Sequence, residues 1–355
     1  MAQADTLIEA AVSHWGPRFL ANGVDSNDFQ ATLARITRWT DWCSEWSRTA
    51  AVHEGLAMEA EARGSRLSAA DARVRAAVCY HFGKFLYFED RAQARTAHES
   101  VVRCYSAAAP DLFPPAERAL IPYRGTRLAG WLRRPPGAVR SPVVLLVPGL
   151  DSVKEEMGTL EIEFLRRGLA TLAVDGPGQG EAEWDLPIEP AYEKPVGAIL
   201  DWLSTCADVD GTRVGAVGIS LGGYYVPRVA AFEPRLRACV PVGGLYEMAP
   251  LWDDLPALTR QALIVRTHSR DEAEALDRIS ALTLEGVAER VRCPLLVIHG
   301  RLDRLIPWQQ AERIYSEAAG PKQLALYDDG NHVCSNIIYK WRPLVADWMV
   351  EQLRS

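Results

Sequence analysis

The spacing of apolar residues changes once along the chain, near residue 118. Before that point apolar residues recur three and four positions apart, as in Leu33, Ile36 and Trp39, and alanine, arginine and glutamate are abundant. Side chains at this spacing share one face of a helix. The pattern therefore predicts a helical domain over residues 1–118, without strands, that ends at the proline-rich segment 110–115.

After residue 118 the apolar residues form short runs that are separated by turns and helical stretches. Most of these runs are continuous rather than alternating, as expected of strands that are covered on both faces. Their alternation with helices predicts an α/β fold with a doubly wound, mainly parallel sheet. The predicted strands are residues 128–132, 143–147, 170–174, 214–219, 238–242, 295–298 and 323–327.

One stretch interrupts this alternation. Residues 245–290 are helical and acidic in character, and we expect them to form an insertion over the edge of the sheet where its strands end. The sequence thus predicts two domains: a helical domain at 1–118, and an α/β core at 119–355 that contains a helical insertion at about 245–290.

One predicted strand runs directly into the segment Gly218-Ile219-Ser220-Leu221-Gly222, which fits the pattern Gly-x-Ser-x-Gly. A serine in a tight turn between a strand and a helix projects its hydroxyl at the sheet edge, and flanking glycines let neighbouring backbone approach. The pattern alone is weak evidence for a nucleophile, because small residues are common in turns. The strand before it, the predicted helix after it and the extra Gly223 favour Ser220 as a nucleophile.

A serine hydroxyl needs a base, and the base needs a third group that orients it. In folds of this type the acid and then the histidine follow the serine along the chain. Asp303 follows the predicted strand 295–298, and His332 follows the predicted strand 323–327. We therefore predict a triad of Ser220, Asp303 and His332 at one edge of the sheet.

Three other residues compete for these roles. Asp328 and Asp329 could orient His332, but they precede it so closely in sequence that we favour Asp303. His299 ends its strand beside a glycine, and we interpret it as a structural histidine of the turn.

The oxyanion that forms on serine attack needs two backbone N–H donors. Leu221, the residue after the serine, supplies the first, and the loop after strand 143–147 supplies the second. In this loop Leu150 is the preferred donor and Gly149 is the alternative. The glycine-rich segment 175–180 also follows a strand, but it matches no nucleotide-binding motif, and we interpret it as a structural loop.

Composition narrows the function. A net charge of −7 argues against a nucleic-acid partner, because phosphate binding needs a concentrated basic surface. No apolar stretch approaches the roughly 20 residues that cross a bilayer, and the first residues lack the basic start of a signal peptide, so we expect no membrane contact and a cytoplasmic location. The 7 cysteines are scattered without a CxxC pair, which indicates reduced thiols, and we predict neither a metal nor a cofactor.

The segments 147–156, 175–181 and 220–225 resemble a subgroup of α/β-hydrolases with an N-terminal helical cap, which includes carbon–carbon bond hydrolases. The resemblance spans most of the chain and includes residues 80–85. It implies that residues 1–118 form the cap, that the triad has the roles given above, and that the protein is a homodimer. In the subgroup, water cleaves a ketone flanked by an acidic carbon or an aromatic ring, and a carboxylic acid is released.

The resemblance also implies an acidic residue near the substrate. Glu247, in the loop after strand 238–242, is our candidate, and Asp253 and Asp254 compete with it. Tyr224, which lies in one of the segments that carry the resemblance, is a further candidate for substrate binding.

The aromatic residues of the helical domain are most simply explained as packing stripes. His81 and Lys84 are polar residues within one of these aromatic runs, and we predict that they point into a substrate cavity. The stripe residues are Trp39, Trp42, Trp46, Phe82, Phe85, Tyr87 and Phe88.

The leading hypothesis is a serine hydrolase that cleaves a carbon–carbon bond next to a ketone in a small aromatic, heteroaromatic or polyketide-like substrate. A carboxylesterase for small esters is the alternative, because both reactions use one triad and one oxyanion hole. A binding protein on a hydrolase scaffold is the third reading, since a fold does not dictate chemistry.

Overall fold

The structure is a computed structural model that describes residues 5–354. Contacts between Cα atoms divide the chain into two compact units, Met1–Arg118 and Ala119–Ser355.

The first unit is helical, and aspartates begin several of its helices. Asp5 accepts a hydrogen bond from the backbone N–H of Leu7 at the start of α1, and Asp25 does the same for Asn27 at the start of α2. The helices are α1 (Thr6–Ala21), α2 (Ser26–Arg35), α3 (Trp42–Ala62), α4 (Arg66–Lys84) and α5 (Arg91–Ala108).

Aromatic side chains form the centre of this unit. The Phe19 and Phe82 rings stack with their centroids 3.9 Å apart, and the indole N–H of Trp42 donates to the Phe82 carbonyl over 2.8 Å. Trp46 and Phe85 are fully buried beside them. These contacts agree with the packing interpretation of the aromatic stripes.

The second unit is built on a sheet with the strand order β1-β2-β4-β3-β5-β6-β7-β8. Neighbouring strands from β4 through β3 to β8 are parallel, and β2 runs antiparallel to β4. The strands are β1 (Ala116–Tyr123), β2 (Thr126–Arg133), β3 (Ser141–Val147), β4 (Ala170–Asp175), β5 (Val209–Ile219), β6 (Leu236–Val242), β7 (Leu295–Gly300) and β8 (Lys322–Tyr327). The predicted mainly parallel sheet is confirmed.

Strand β1 was not predicted, and the expectation that residues 1–118 contain no strand is wrong at its last residues. β1 begins at Ala116, lies at the edge of the sheet, and alternates between buried and exposed positions. It also contains Pro122 and directly follows two prolines. Edge strands tolerate proline and need only one apolar face, so the segment lacks the continuous apolar run that identified the other strands.

Helices flank the sheet and also occupy the segment between β6 and β7, where the helical insertion was predicted. The helices of this unit are α6 (Gly158–Leu165), α7 (Glu193–Thr205), α8 (Gly222–Phe232), α9 (Ala257–Arg266), α10 (Glu272–Ile279), α11 (Gln309–Glu317) and α12 (Ile338–Gln352). Side chains of α6 and α12, including Phe164 and Met349, form one buried cluster with Leu146 and Val240 of the strands. None of the helices within residues 5–354 has the length and apolarity needed to span a membrane.

Two glycines set the distance between the start of α8 and the end of β6. A Cβ atom built on Gly223 would lie 2.5 Å from the Cα atom of Gly244. Real Cβ atoms do not approach backbone this closely, so a side chain here would push α8 away from β6.

We therefore predict that Gly223→Ala lowers the free energy of unfolding by about 1–3 kcal/mol through overpacking. Gly197→Ala is the matched control, because Gly197 lies in α7 and a Cβ atom there meets only one atom, at 3.8 Å. The control should be neutral or raise the free energy of unfolding, since alanine favours helix. Urea denaturation of both variants makes the comparison, and equal stability of the two would refute the packing argument.

Candidate active site

Ser220 occupies a strained turn between β5 and α8. Its φ angle is 57°, in the left-handed region that residues with a side chain rarely adopt. Two backbone hydrogen bonds hold the turn: the Ser220 N–H donates to the Val242 carbonyl over 2.9 Å, and the Gly223 N–H donates to the Ser220 carbonyl over 2.7 Å. Such strain persists only where the surroundings impose it, and it is common at active sites.

The glycines that flank Ser220 are required by close approaches of the backbone. A Cβ atom on Gly218 would lie 2.0 Å from the Gly222 carbonyl oxygen, and one on Gly222 would lie 2.3 Å from the Val147 carbonyl oxygen. The two glycines of the Gly-x-Ser-x-Gly pattern thus fold the turn onto itself and onto the end of β3.

A chain of hydrogen bonds connects Ser220 to His332 and His332 to Asp303. The His332 Nε2 atom lies 2.9 Å from the Ser220 Oγ atom, and its Nδ1 atom lies 2.8 Å from an Asp303 carboxylate oxygen. A carboxylate accepts and does not donate, so the network assigns the imidazole proton to Nδ1 and leaves Nε2 as the acceptor for the serine hydroxyl. Ser220 and His332 are 112 residues apart in sequence, and the parallel sheet brings them together at one edge.

Asp303 is fixed from several sides. Its other oxygen accepts the backbone N–H groups of Leu305 and Ile306, each over 2.9 Å, and its side chain is fully buried. Burial by itself raises the pKa of this carboxyl, but the charge of His332 and hydrogen bonds from His299 and His332 outweigh it. The net pKa of Asp303 therefore lies well below its usual value, and the group stays ionised.

The contact between His299 and Asp303 was missed in the sequence. The His299 Nε2 atom donates to the Ile306 carbonyl over 2.9 Å and lies 3.4 Å from the Asp303 oxygen that faces His332. His299 lies in β7, one residue before the end of the strand, and not in the turn as interpreted; its side chain bonds to the turn at Ile306 and also supports the acid. The four-residue spacing across a turn that starts at the end of β7 was the available signal.

Asp328 and Asp329 do not contact His332. Asp328 pairs with Arg301 over 2.8 Å and is 90% exposed, and Asp329 pairs with Lys340 over 2.5 Å. The geometry thus brings His332 together with Asp303, the residue that the sequence favoured.

The loop after β3 lies against Ser220. A Cβ atom on Gly149 would be 3.0 Å from the Ile219 carbonyl oxygen and 3.7 Å from the Ser220 Oγ atom. Leu150 follows directly in this loop, and Leu221 follows Ser220 at the start of α8; both are buried. The two predicted oxyanion donors therefore lie on segments that adjoin Ser220.

The predicted substrate-binding residues of this unit have other partners. Glu247 forms an ion pair with Arg313, and its backbone N–H donates to the Gln310 side chain over 3.0 Å. Tyr224 is fully buried, and its single hydroxyl hydrogen is shared between the carbonyl oxygens of Pro190 and Ala281, which lie 3.1 and 3.3 Å from the hydroxyl oxygen. The structure brings neither side chain into contact with Ser220 or His332.

His81 and Lys84 lie near the end of α4 in the helical unit. Both are buried, with exposed fractions of 0% and 2%. The His81 ring contacts Phe82, with 5.0 Å between the ring centroids.

Comparison with known proteins relates the whole chain to hydrolases. A family model described as Esterase FrsA-like matches residues 24–354. A protein of Paenarthrobacter nicotinovorans named 2,6-dihydropseudooxynicotine hydrolase is 33% identical over 348 residues, which are 97% of this chain and 93% of that protein.

Two further similarities extend this result. A crystal structure of 2,6-dihydroxy-pseudo-oxynicotine hydrolase matches the chain with a TM-score of 0.88 and 32% identity, covering 95% of each chain. The protein gkaG of Penicillium citrinum, named an alpha/beta hydrolase, is 29% identical over 256 residues, covering 68% of this chain and 58% of its own length. The predicted α/β-hydrolase fold is confirmed.

The hydrogen-bond chain predicts how Ser220 reacts with a serine-directed fluorophosphonate. The wild-type chain should gain one adduct on the peptide that contains Ser220, and Asp303→Asn should slow this reaction by a factor on the order of 10⁴, because an amide no longer holds the imidazole proton of His332 on Nδ1. Asp328→Asn removes an exposed carboxylate and should leave the rate unchanged. Peptide mass spectrometry measures the rates, and equal rates for the two variants would contradict the role of Asp303.

Proposed function

The chain belongs to the FrsA-like esterase family of α/β-hydrolases, and we propose that Ser220, His332 and Asp303 form its catalytic triad. The observation that carries the proposal is the continuous hydrogen-bond chain from Asp303 through His332 to Ser220, with distances of 2.8 and 2.9 Å. The low pKa of Asp303 supports it, because an ionised acid stabilises the imidazolium that forms on serine attack.

The first chemical step is attack by the serine. The Ser220 Oγ atom forms a bond to the substrate carbonyl carbon while His332 Nε2 takes the hydroxyl proton. The negative charge on the carbonyl oxygen is stabilised by the backbone N–H groups of Leu221 and Leu150.

The second step breaks the bond to the leaving group. Collapse of the tetrahedral intermediate expels a carbon fragment, whose electron pair takes the proton from His332, and leaves an acyl group on Ser220. Water then attacks the acyl group with His332 as the base, which releases a carboxylic acid and restores the serine. A carbon leaving group needs stabilisation by an adjacent carbonyl or aromatic ring, so the proposed substrates are ketones of that kind.

We propose carbon–carbon bond hydrolysis as the reaction. The similarity to a protein named 2,6-dihydropseudooxynicotine hydrolase covers 97% of the chain and supports this choice. A carboxylesterase is the second candidate, and the family description Esterase FrsA-like favours it. The alkoxide that leaves an ester needs less assistance than a carbanion, so the same site would suffice for both reactions.

Residues 1–118 are proposed as the cap that selects the substrate, with His81 and Lys84 contributing polar groups to its cavity. Glu247 is proposed to act on the substrate through its charge, in a state where its ion pair with Arg313 is rearranged. Tyr224 is proposed to bound the pocket from within α8.

We also propose that the enzyme is a cytoplasmic homodimer. The cysteines of the chain are free thiols, which fits a reducing compartment. The dimer rests on the family resemblance, and a mass of 39.2 kDa in light scattering, that of one chain, would argue against it.

The choice between ketone and ester is tested by turnover of matched panels of aryl ketones, 1,3-diketones and aryl esters. We expect ketone cleavage with release of a carboxylic acid, identified by mass spectrometry, and its loss in Ser220→Ala. Fast ester turnover without ketone cleavage would make the protein a carboxylesterase.

His81→Ala and Lys84→Ala are measured with the same substrates. Unchanged kcat and KM in these variants would show that the two residues are not part of the substrate site.

A further inference from the structure

The side chain of Gln179 connects the loop after β4 to the loop after β3. Its Nε2 atom donates to the carbonyl oxygens of Pro148 and Gly149, over 2.5 and 3.2 Å. Its Oε1 atom accepts the backbone N–H of Gly176 over 3.0 Å and the hydroxyl of Tyr192 over 2.8 Å. Gln179 is 1% exposed, so these contacts are shielded from water.

Every hydrogen-bonding position of this amide is used. The NH₂ group has two hydrogens and faces two carbonyl oxygens, and the carbonyl oxygen has two lone pairs and faces two donors. Because the Gly176 N–H can only donate and the two carbonyls can only accept, a flipped amide would lose three of these four bonds. Gln179 therefore has one orientation in this pocket.

Because the peptide group is rigid, the orientation of Gln179 also sets the orientation of the proposed oxyanion donors. A trans peptide is planar, so its C=O and the N–H of the next residue point in opposite directions. Gln179 holds the Gly149 carbonyl and thereby fixes the direction of the Leu150 N–H. It holds the Pro148 carbonyl and thereby fixes the direction of the Gly149 N–H. Both candidate donors of this loop are oriented by one side chain.

Tyr192 holds the side chain of Gln179 in place through the hydrogen bond to its Oε1 atom. Its ring stacks on that of Tyr225 in α8, with the centroids 3.8 Å apart and the planes at 11°. Burial and the nearby charge of Asp175 raise the pKa of Tyr192 well above its usual value, so the hydroxyl remains a donor to Gln179. The Tyr225 hydroxyl has no hydrogen-bond partner among the described residues.

We infer that Gln179 is the positioning residue of the oxyanion hole, which aims the Leu150 N–H at the reacting carbonyl oxygen, and that Tyr192 holds Gln179 in place. This inference rests on the proposed serine hydrolase function. It requires only that an acyl group is transferred to Ser220, and it applies equally to ketone and ester substrates.

The test uses p-nitrophenyl acetate as the substrate and trifluoroacetophenone as an inhibitor that forms an oxyanion adduct with serine. Gln179→Met keeps the length of the side chain and removes its hydrogen bonds. It should lower kcat by about 10²-fold, as loss of an oxyanion donor does, with KM changed little. The Ki of trifluoroacetophenone should rise by a similar factor. A merely structural defect would reduce the active fraction and leave Ki unchanged.

The stacked tyrosines supply a matched pair of variants in case Gln179→Met does not fold. Tyr192→Phe removes the hydroxyl on Gln179 and should lower kcat and raise Ki by about threefold to tenfold, the usual effect of one hydrogen bond. Tyr225→Phe removes the unpartnered hydroxyl and should change neither value.

The outcomes separate this inference from the proposed function. If wild-type Ser220 neither reacts with a fluorophosphonate nor turns over any ester or ketone, the proposed function fails. If the wild type is active and Tyr192→Phe matches Tyr225→Phe in kcat and in Ki, the support of Gln179 by Tyr192 is refuted. If Gln179→Met folds and its Ki is that of the wild type, the role of Gln179 itself is refuted.

Discussion

The structure of the site depends on close packing of backbone against backbone around Ser220. Gly218, Gly222 and Gly223 each lie where a Cβ atom would meet a neighbouring main chain within 2.0 to 2.5 Å. This packing leaves Ser220 in the left-handed region with its hydroxyl at the edge of the sheet. The segment after β3, the end of β6 and the start of α8 all meet at this turn. The turn therefore sets the positions of the segments that hold the proposed catalytic groups.

Around this turn each polar group is held by hydrogen bonds from the next. His332 reaches Ser220, Asp303 holds His332, and Asp303 is held by two backbone N–H groups and His299. Near the proposed oxyanion hole, Gln179 holds the loop after β3, and Lys154 donates to Asp175 from both its backbone N–H and its ammonium group, each over 2.8 Å. Preorganised groups of this kind need little rearrangement as charge develops in the transition state.

The sequence was sufficient for features with a strong local signal. Continuous apolar runs identified the strands from β2 to β8. Chain order on this fold predicted Asp303 and His332, whose side chains form hydrogen bonds in line with Ser220. Strand β1 was not predicted because it is an edge strand that contains Pro122 and has a single apolar face. The hydrogen-bond partners of Gln179 and His299 could not be predicted from the sequence for a different reason. Their side chains contact segments that are distant in sequence or across a turn, and apolar spacing carries no information on which polar atoms meet. The 175–180 segment was interpreted as a structural loop, and Gln179 gives that loop a specific contact with the site.

Ser220 is proposed to attack the substrate as a nucleophile during carbon–carbon bond cleavage. Rapid-quench mass spectrometry with an aryl 1,3-diketone measures this directly. We expect a transient acyl adduct on the peptide that contains Ser220, with the mass of the later released acid less one water, and no cleavage by Ser220→Ala. Cleavage of the diketone by Ser220→Ala at the wild-type rate would show that Ser220 is not the nucleophile.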